Sequence, residues 1–233
     1  MEKDTKIISF ATQKGGSGKT TLTHMVALAL ASKSINKSVL VLDMDEQKTL
    51  SVFYAQQKKL DSNLPEPPTN RYDLITCPLP DLRETLNINY GKYDYILIDF
   101  PGTFMVEGIR SAFLFCDKVF VPVKHSQPDF ISSQVVFKLL EEVKEMRKAK
   151  GADFDYYGLI SIAEPEKSNF KMFKEFLATQ SYPSLENPFY KYVKYENALI
   201  NYHGIMDVPR IKWKHEEEAF NRFFQELYKL ITK

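Results

Sequence analysis

The sequence predicts an α/β fold: a doubly wound, mostly parallel sheet with helices on both faces. Three observations predict it. Short apolar runs alternate with helical stretches along the chain, the order that builds a parallel sheet. The strongest runs are apolar on both faces, as strands covered on both sides must be. The first run ends in "TQKGGSGKTT" (Thr12 to Thr21), a glycine-rich turn that leads straight into an alanine- and leucine-rich stretch.

The elements follow in order. "KIISFAT" (Lys6 to Thr12) reads as a buried strand, and "KTTLTHMVALALASKS", free of Gly and Pro, as a helix from Lys19 to Ser34. "SVLVLDMD" (Ser38 to Asp45) is the next strand and "TLSVFYAQQKKL" the next helix. "NLPEPPTN" (Asn63 to Asn70), with three prolines, can be neither and reads as a loop. "YDLITC" is a strand and "DLRETLNI" a short helix. "YDYILIDF" (Tyr93 to Phe100) is a strong strand ending in an acid, followed by a Pro-Gly turn; "DKVFVPVK" (Asp117 to Lys124) is another. "SSQVVFKLLEEVKEMRKAKG" reads as an amphipathic helix closed by Gly151, with basic residues in its last turns as the helix dipole favours. "FDYYGLISIA" is a strand, "SNFKMFKEFLATQ" a helix, "FYKYVKY" a last strand and "EEEAFNRFFQELYKLITK" a closing helix. No repeat or low-complexity segment interrupts this order. We expect residues 1–233 to form a single domain, a length that suits the larger α/β kind.

Bulk charge excludes a strong global field. Lys plus Arg is 31 and Asp plus Glu 30, a net +1, so any nucleic-acid contact must come from a local patch. No secretory apolar region and no run near the length of a membrane span is present, which points to a cytoplasmic protein. Cys77 and Cys116 then read as free thiols, since no Cys-x-x-Cys or Cys/His cluster exists. His24, His125, His203 and His215 are scattered and suggest neither a metal site nor a triad; a loop role suits His125.

The chemistry gathers at strand ends, where such sheets bind ligands. In "QKGGSGKTT" the glycines Gly15, Gly16 and Gly18, with Ser17 between them, let backbone amides wrap an anion, and the following helix adds its positive end. Lys19 is placed for the β- and γ-phosphates of a nucleotide, the Thr20 hydroxyl for Mg²⁺ and Thr21 for the α-phosphate. Asp43 and Asp45 project from the end of the second strand; Asp45 also suits a turn. Asp99 ends "ILID" and supplies the acid that holds Mg²⁺ directly or through water. Together these make a phosphoryl-transfer site. One feature breaks the usual G-x-x-x-x-G-K-[ST] spelling: position 13 is Gln, and Lys14 is a second lysine.

On these motifs the chain resembles the ParA/MinD family of deviant Walker A P-loop ATPases, and most of all its small partition ATPases. "KGGSGKTT" is similar to the family's phosphate loop, "VLVLDMDEQ" to its second motif and "YDYILIDFPG" to its Walker B motif; the strong match covers residues 5 to 125. Glu46 stands where the family usually has proline, and "SIAEPEKSN" lacks the family's asparagine-type base reader. The resemblance implies an ATP hydrolase that acts as a switch, with ATP and Mg²⁺ as cofactors. It implies that Lys14 reaches the nucleotide of a second copy in an ATP-bound homodimer, and that Asp43 positions the attacking water.

ParA-like relatives bind DNA without sequence preference, which implies a nucleoid-associated role in partitioning or positioning a plasmid or mobile element. A small DNA-binding or cargo adaptor that stimulates hydrolysis is the implied partner. The DNA candidates here are Lys191, Lys194, Arg210, Lys212 and Lys214, interleaved with aromatic residues. MinD-like relatives instead bind membrane through a terminal amphipathic helix. Phe220, Phe223, Phe224, Leu227, Leu230 and Ile231 have helical spacing, but Glu216, Glu217, Glu218 and Glu226 oppose an anionic surface, so we expect this helix to pack on the sheet. A metabolic ATP-dependent enzyme of the dethiobiotin-synthetase kind is the rival from a different class.

Overall fold

In the computed structural model, residues 3–61, 71–102, 108–167, 169–191 and 214–233 are described. Their strands are β1 (Lys6–Phe10), β2 (Val39–Asp43), β3 (Asp73–Thr76), β4 (Tyr95–Asp99), β5 (Lys118–Val123), β6 (Asp155–Ala163) and β7 (Phe189–Tyr190). They join one sheet in the order β3-β2-β4-β1-β5-β6-β7. Every pairing is parallel, so the expected mostly parallel sheet is wholly parallel among the described strands. The chain moves to one side of β1 for β2 to β4, then to the other for β5 to β7. This puts the switch of winding direction at β1, where ligands of such sheets bind.

Alternate strand residues feed two cores, one on each face. Ile7, Leu40, Leu42, Ile96, Ile98, Val119 and Val121 pack under α3 (Leu82–Asn89), α4 (Ile109–Ala112), α5 (Gln127–Lys148) and α6 (Phe170–Ala178). Ile8, Phe10, Val39, Val41, Leu97 and Phe120 pack under α1 (Lys19–Ala31) and α7 (Lys214–Ile231). The remaining helix, α2 (Thr49–Asp61), follows β2. Helix α1 is buried on all sides, which its unbroken Ala/Leu composition permits. Its one basic side chain in mid-helix, His24, is buried with Nδ1 2.8 Å from the Tyr72 hydroxyl.

Helix α7 packs as expected. Phe220, Phe223, Phe224, Leu227 and Ile231 are buried in the second core, with Leu230 half-buried beside them. Glu226 has a structural role: its carboxylate accepts the Glu186 amide at 2.7 Å and the Asn187 amide and side-chain nitrogen at 2.8 Å, fixing the approach to β7. No helix among the described residues is long and apolar enough to cross a membrane.

The largest boundary difference from the sequence reading is at the start of α5. Helix α5 begins at Gln127 rather than at Ser132, because Ser126 caps it and Pro128 sits in its first turn, where a missing N–H costs nothing. It ends before Gly151, whose φ of +70° only glycine adopts freely. The last strand is described only as Phe189–Tyr190; the remainder of "FYKYVKY" beyond Lys191 lies outside the described residues. Cys77 and Cys116 are free and buried, and burial pushes both thiols up, which keeps them unreactive.

Candidate nucleotide site

Strand register assembles the site. Phe10 pairs with Asp99 across β1 and β4, and Asp43 pairs with Asp99 across β2 and β4. The ends of three adjacent strands therefore bring both acids to the point where the glycine loop leaves β1. In that loop Gly16 has φ +68° and Gly18 +88°, values that strain any side chain. Gly18 is the N-cap of α1 and supplies no side-chain cap, so the first amides of a 13-residue helix open onto the loop. The Ser17 hydroxyl is buried there with no hydrogen-bond partner among the described residues.

The two lysines take opposite positions. Lys19 is only 7% exposed. Burial lowers its pKa, against the pull of Asp99 and then Asp45. Its Nζ lies 3.6 Å from where a Cβ on Gly102 would stand, which places it against the turn after β4. Lys14, on the outer side of the loop, has a side chain 46% exposed, and its Nζ meets Asp129 Oδ1 at 2.8 Å.

Asp99 is 1% exposed, and neither carboxylate oxygen has a hydrogen bond of good geometry. Burial raises it to about 7; the nearby Thr20 hydroxyl pulls it down, Asp43 pushes it up, and Lys19 and Asp45 act more weakly in opposite senses. A buried carboxylate beside a hydroxyl, with its lone pairs unspent, fits a hard cation. No group of three or more His, Cys, Asp or Glu among the described residues could hold a metal alone. A cation here would share Asp99 and Thr20 with phosphate oxygens, which is how Mg²⁺ is usually held.

Asp43 is buried and tied to α2. Its Oδ2 accepts the Ser51 amide at 2.9 Å and the Ser51 hydroxyl at 2.6 Å, and its Oδ1 the Asp45 amide at 3.3 Å. Asp45 is a turn acid, accepting the Gln47 amide at 2.9 Å. His125 is buried next to Lys124, with Phe170 edge-on at 5.9 Å. Burial lowers its pKa, with Glu164 opposing.

Of the DNA candidates, only Lys191 has its side chain among the described residues. Lys191 is exposed and 3.5 Å from Glu164. Lys194, Arg210 and Lys212 lie outside the described residues, and Lys214 opens α7 with its side chain outside them.

Sequence reasoning missed two residues at the loop. Asp129 is one. The other is Ile162, which has φ +50° and whose Cγ1 lies 3.4 Å from where a Cβ on Gly18 would stand. It falls between Ser161 and Ala163, where the β6–β7 register shifts. Nothing in the apolar run "YYGLISIA" signals that irregularity.

A family model described as an AAA domain matches residues 5–76, the stretch from β1 through the glycine loop to β3. The chain is 33% identical over 119 residues to an uncharacterized ATP-binding protein of Methanocaldococcus jannaschii, covering 42% of this chain and 44% of that protein. It spans less than half the length of the first two curated relatives it matches, 44% and 31%. A plasmid partition protein from Borrelia burgdorferi superposes with a TM-score of 0.60 at 26% identity, over 84% of this chain and 97% of that one. The MinD cell division protein of Aquifex aeolicus superposes with a TM-score of 0.68 at 20% identity, over 96% and 97%, a likeness of fold. A wholly parallel sheet with a lysine-bearing glycine loop at its switch point, two acids in register beside it and these likenesses lead to one assignment: the chain has the P-loop fold of the ParA/MinD-type ATPases.

Proposed function

We propose that this chain is an ATP hydrolase that dimerises when it binds Mg–ATP, binds DNA without sequence preference as a dimer, and partitions or positions a DNA cargo near the nucleoid. The observation that carries the reading is the division between the two lysines of one loop. Lys19 is buried facing Asp99, where it serves its own nucleotide, while Lys14 is half-exposed on the outside, where it can serve another subunit's.

In this reading the amides of Gly15, Gly16, Ser17 and Gly18 cradle the phosphates, Lys19 neutralises them and Thr21 approaches the α-phosphate. Thr20 and Asp99 hold Mg²⁺, which when bound neutralises charge on the phosphate oxygens. Asp43 positions water, and its hydrogen bonds to Ser51 couple that role to the start of α2. Lys14 of one copy adds positive charge to the nucleotide of the other, as an arginine finger does. Lys191, Lys194, Arg210, Lys212 and Lys214 are the proposed DNA contacts, and an adaptor that stimulates hydrolysis is the proposed partner. Burial of the apolar face of α7 in the core speaks against the membrane-switch alternative.

Calorimetry and light scattering with Mg²⁺ and a non-hydrolysable ATP analogue test the reading. Lys19→Ala is expected to lose nucleotide binding; Lys14→Ala is expected to keep affinity within several-fold but fail to dimerise. Tight binding by Lys19→Ala, or an intact Lys14→Ala dimer, overturns it.

A further inference from the structure

The lysine assigned to the partner's nucleotide is held by its own chain. Lys14 Nζ lies 2.8 Å from Asp129 Oδ1, in the first turn of α5. That carboxylate is also held at its other oxygen. The Ser126 hydroxyl donates to its second oxygen, and the Asp129 amide donates to Ser126 Oγ at 3.2 Å, a reciprocal cap on a 22-residue helix. Asp129 is 17% exposed at its side chain, and Lys14 is 46% exposed. The acid is thus the rigid member of the pair. The lysine is the adjustable one: the next residue, Gly15, has nothing within 4 Å of a would-be Cβ, and the Lys14 amide is held at 3.3 Å by the Thr12 hydroxyl.

We propose that Asp129 is a positioning residue that latches Lys14 within its own subunit and releases it only when a nucleotide-loaded partner competes for it. The inference rests on the reading that Lys14 acts on the second copy's nucleotide. One ammonium cannot stay on Asp129 and also reach phosphates across an interface, so each dimer must open two latches. Opening does not strand the acid. Lys124, whose Nζ lies 3.7 Å from the would-be Cβ of Gly16 on the same loop, is close enough to help hold Asp129 ionised. Burial alone would raise Asp129, but Lys14, Ser126 and Lys124 together lower it. What each opening loses is therefore one part-exposed ion pair. A triphosphate, with several charges and a bound cation to organise them, outcompetes a single carboxylate; an empty partner offers Lys14 nothing. The latch sets a threshold that keeps empty chains apart.

A part-exposed ion pair shifts an equilibrium by about two- to fivefold, so two latches per dimer shift dimerisation by about four- to twenty-fivefold. The test is sedimentation equilibrium of the full chain with Mg²⁺ and a non-hydrolysable ATP analogue. Asp129→Asn keeps the shape and the cap but removes the charge. It is expected to dimerise at a protein concentration lower by that factor, with nucleotide affinity of the monomer unchanged by calorimetry. Asp129→Glu restores the wild-type threshold. Lys14→Ala combined with Asp129→Asn stays monomeric. If Asp129→Asn melts far below wild type, Asp129→Ser, also suited to a first helical turn, replaces it. A Lys14→Ala dimer sinks the trans reading itself. Loss of the dimer in Lys14→Ala, with an unchanged or raised threshold in Asp129→Asn, overturns the latch alone.

Discussion

Ile162 gives a test in which the usual order of two substitutions reverses. Its φ of +50° lies in the left-handed region, and it is the extra residue where Ser161 pairs with Phe189 and Ala163 with Tyr190. For an L-residue that conformation costs about 1–2 kcal/mol, at the upper end for a branched side chain. Ile162→Gly removes the strain. It also gives up a half-buried side chain and adds disorder to the unfolded chain, each about 1 kcal/mol. The net should lie within about 1 kcal/mol of wild type. Ile162→Ala gives up the same packing but keeps the strain, so it should fall about 1 kcal/mol below wild type. In an ordinary strand Gly is weaker than Ala; here Gly should be stronger by roughly 1 kcal/mol, or about 0.3–0.5 M in urea midpoint. Both variants lose the side chain that stands beside Gly18, in the loop proposed to cradle phosphate. Their Mg–ATP dissociation constants should therefore rise together, by several-fold, whatever their stability. Urea titration followed by circular dichroism, paired with calorimetry, measures both quantities. An Ala variant as stable as the Gly variant refutes the strain argument. Wild-type nucleotide affinity in both variants refutes the role of that side chain.

Two further outcomes follow from side chains already placed. Asp43→Ala should lose roughly 1–3 kcal/mol, because the Ser51 amide and hydroxyl lose a charged acceptor, and ATP turnover should fall by about 100-fold or more. Asp43→Asn should keep most of the stability and still lose turnover; thermal melts and a phosphate-release assay separate the two effects. For Asp94, burial would raise the carboxyl, but the Ser38 hydroxyl, Lys3 ammonium and Ser38 amide outweigh it and bring it from 3.8 to about 2. A depressed acid stabilises the fold above its unfolded pKa, so about 2 kcal/mol should be present at neutral pH and lost as pH falls from near 4 through about 2. Asp94→Asn should flatten that acid limb in melting curves between pH 5 and pH 2; an unchanged limb assigns the acid sensitivity to other groups.

The fold was legible where one residue's choice reported its surroundings directly. Strands β1, β2, β4 and β5 are covered on both faces, so their apolar runs stand out without knowledge of their neighbours. The glycine loop was legible because its φ values at Gly16 and Gly18 require glycine, and because Gly-Lys-Thr serves one chemistry in that setting. Asp129, Ile162 and Glu226 were not legible, for a shared reason. Each acquires its role from an element distant in sequence that the sheet order brings alongside. Asp129 in "SQPD" reads as a helix-capping acid, and it is one; it meets Lys14 because β5 lies beside β1. Ile162 turns against Gly18 because β7 pairs with β6 out of step. Glu226 reads as a charge that repels an anionic surface, yet its neighbours are three N–H donors of the Glu186–Asn187 segment. The helical spacing of Phe220, Phe223, Phe224 and Leu227 suits a membrane face and a protein core equally well. What selects the core is the apolar surface offered by Phe10, Leu97, Phe120 and Phe189, which fold into contact from four strands. An amphipathic helix already covered on that face must give up its core packing before it can bind lipid. The nucleotide-dependent surface proposed for this protein is therefore to be sought near Lys14, where the loop's part-exposed lysine and its carboxylate partner meet.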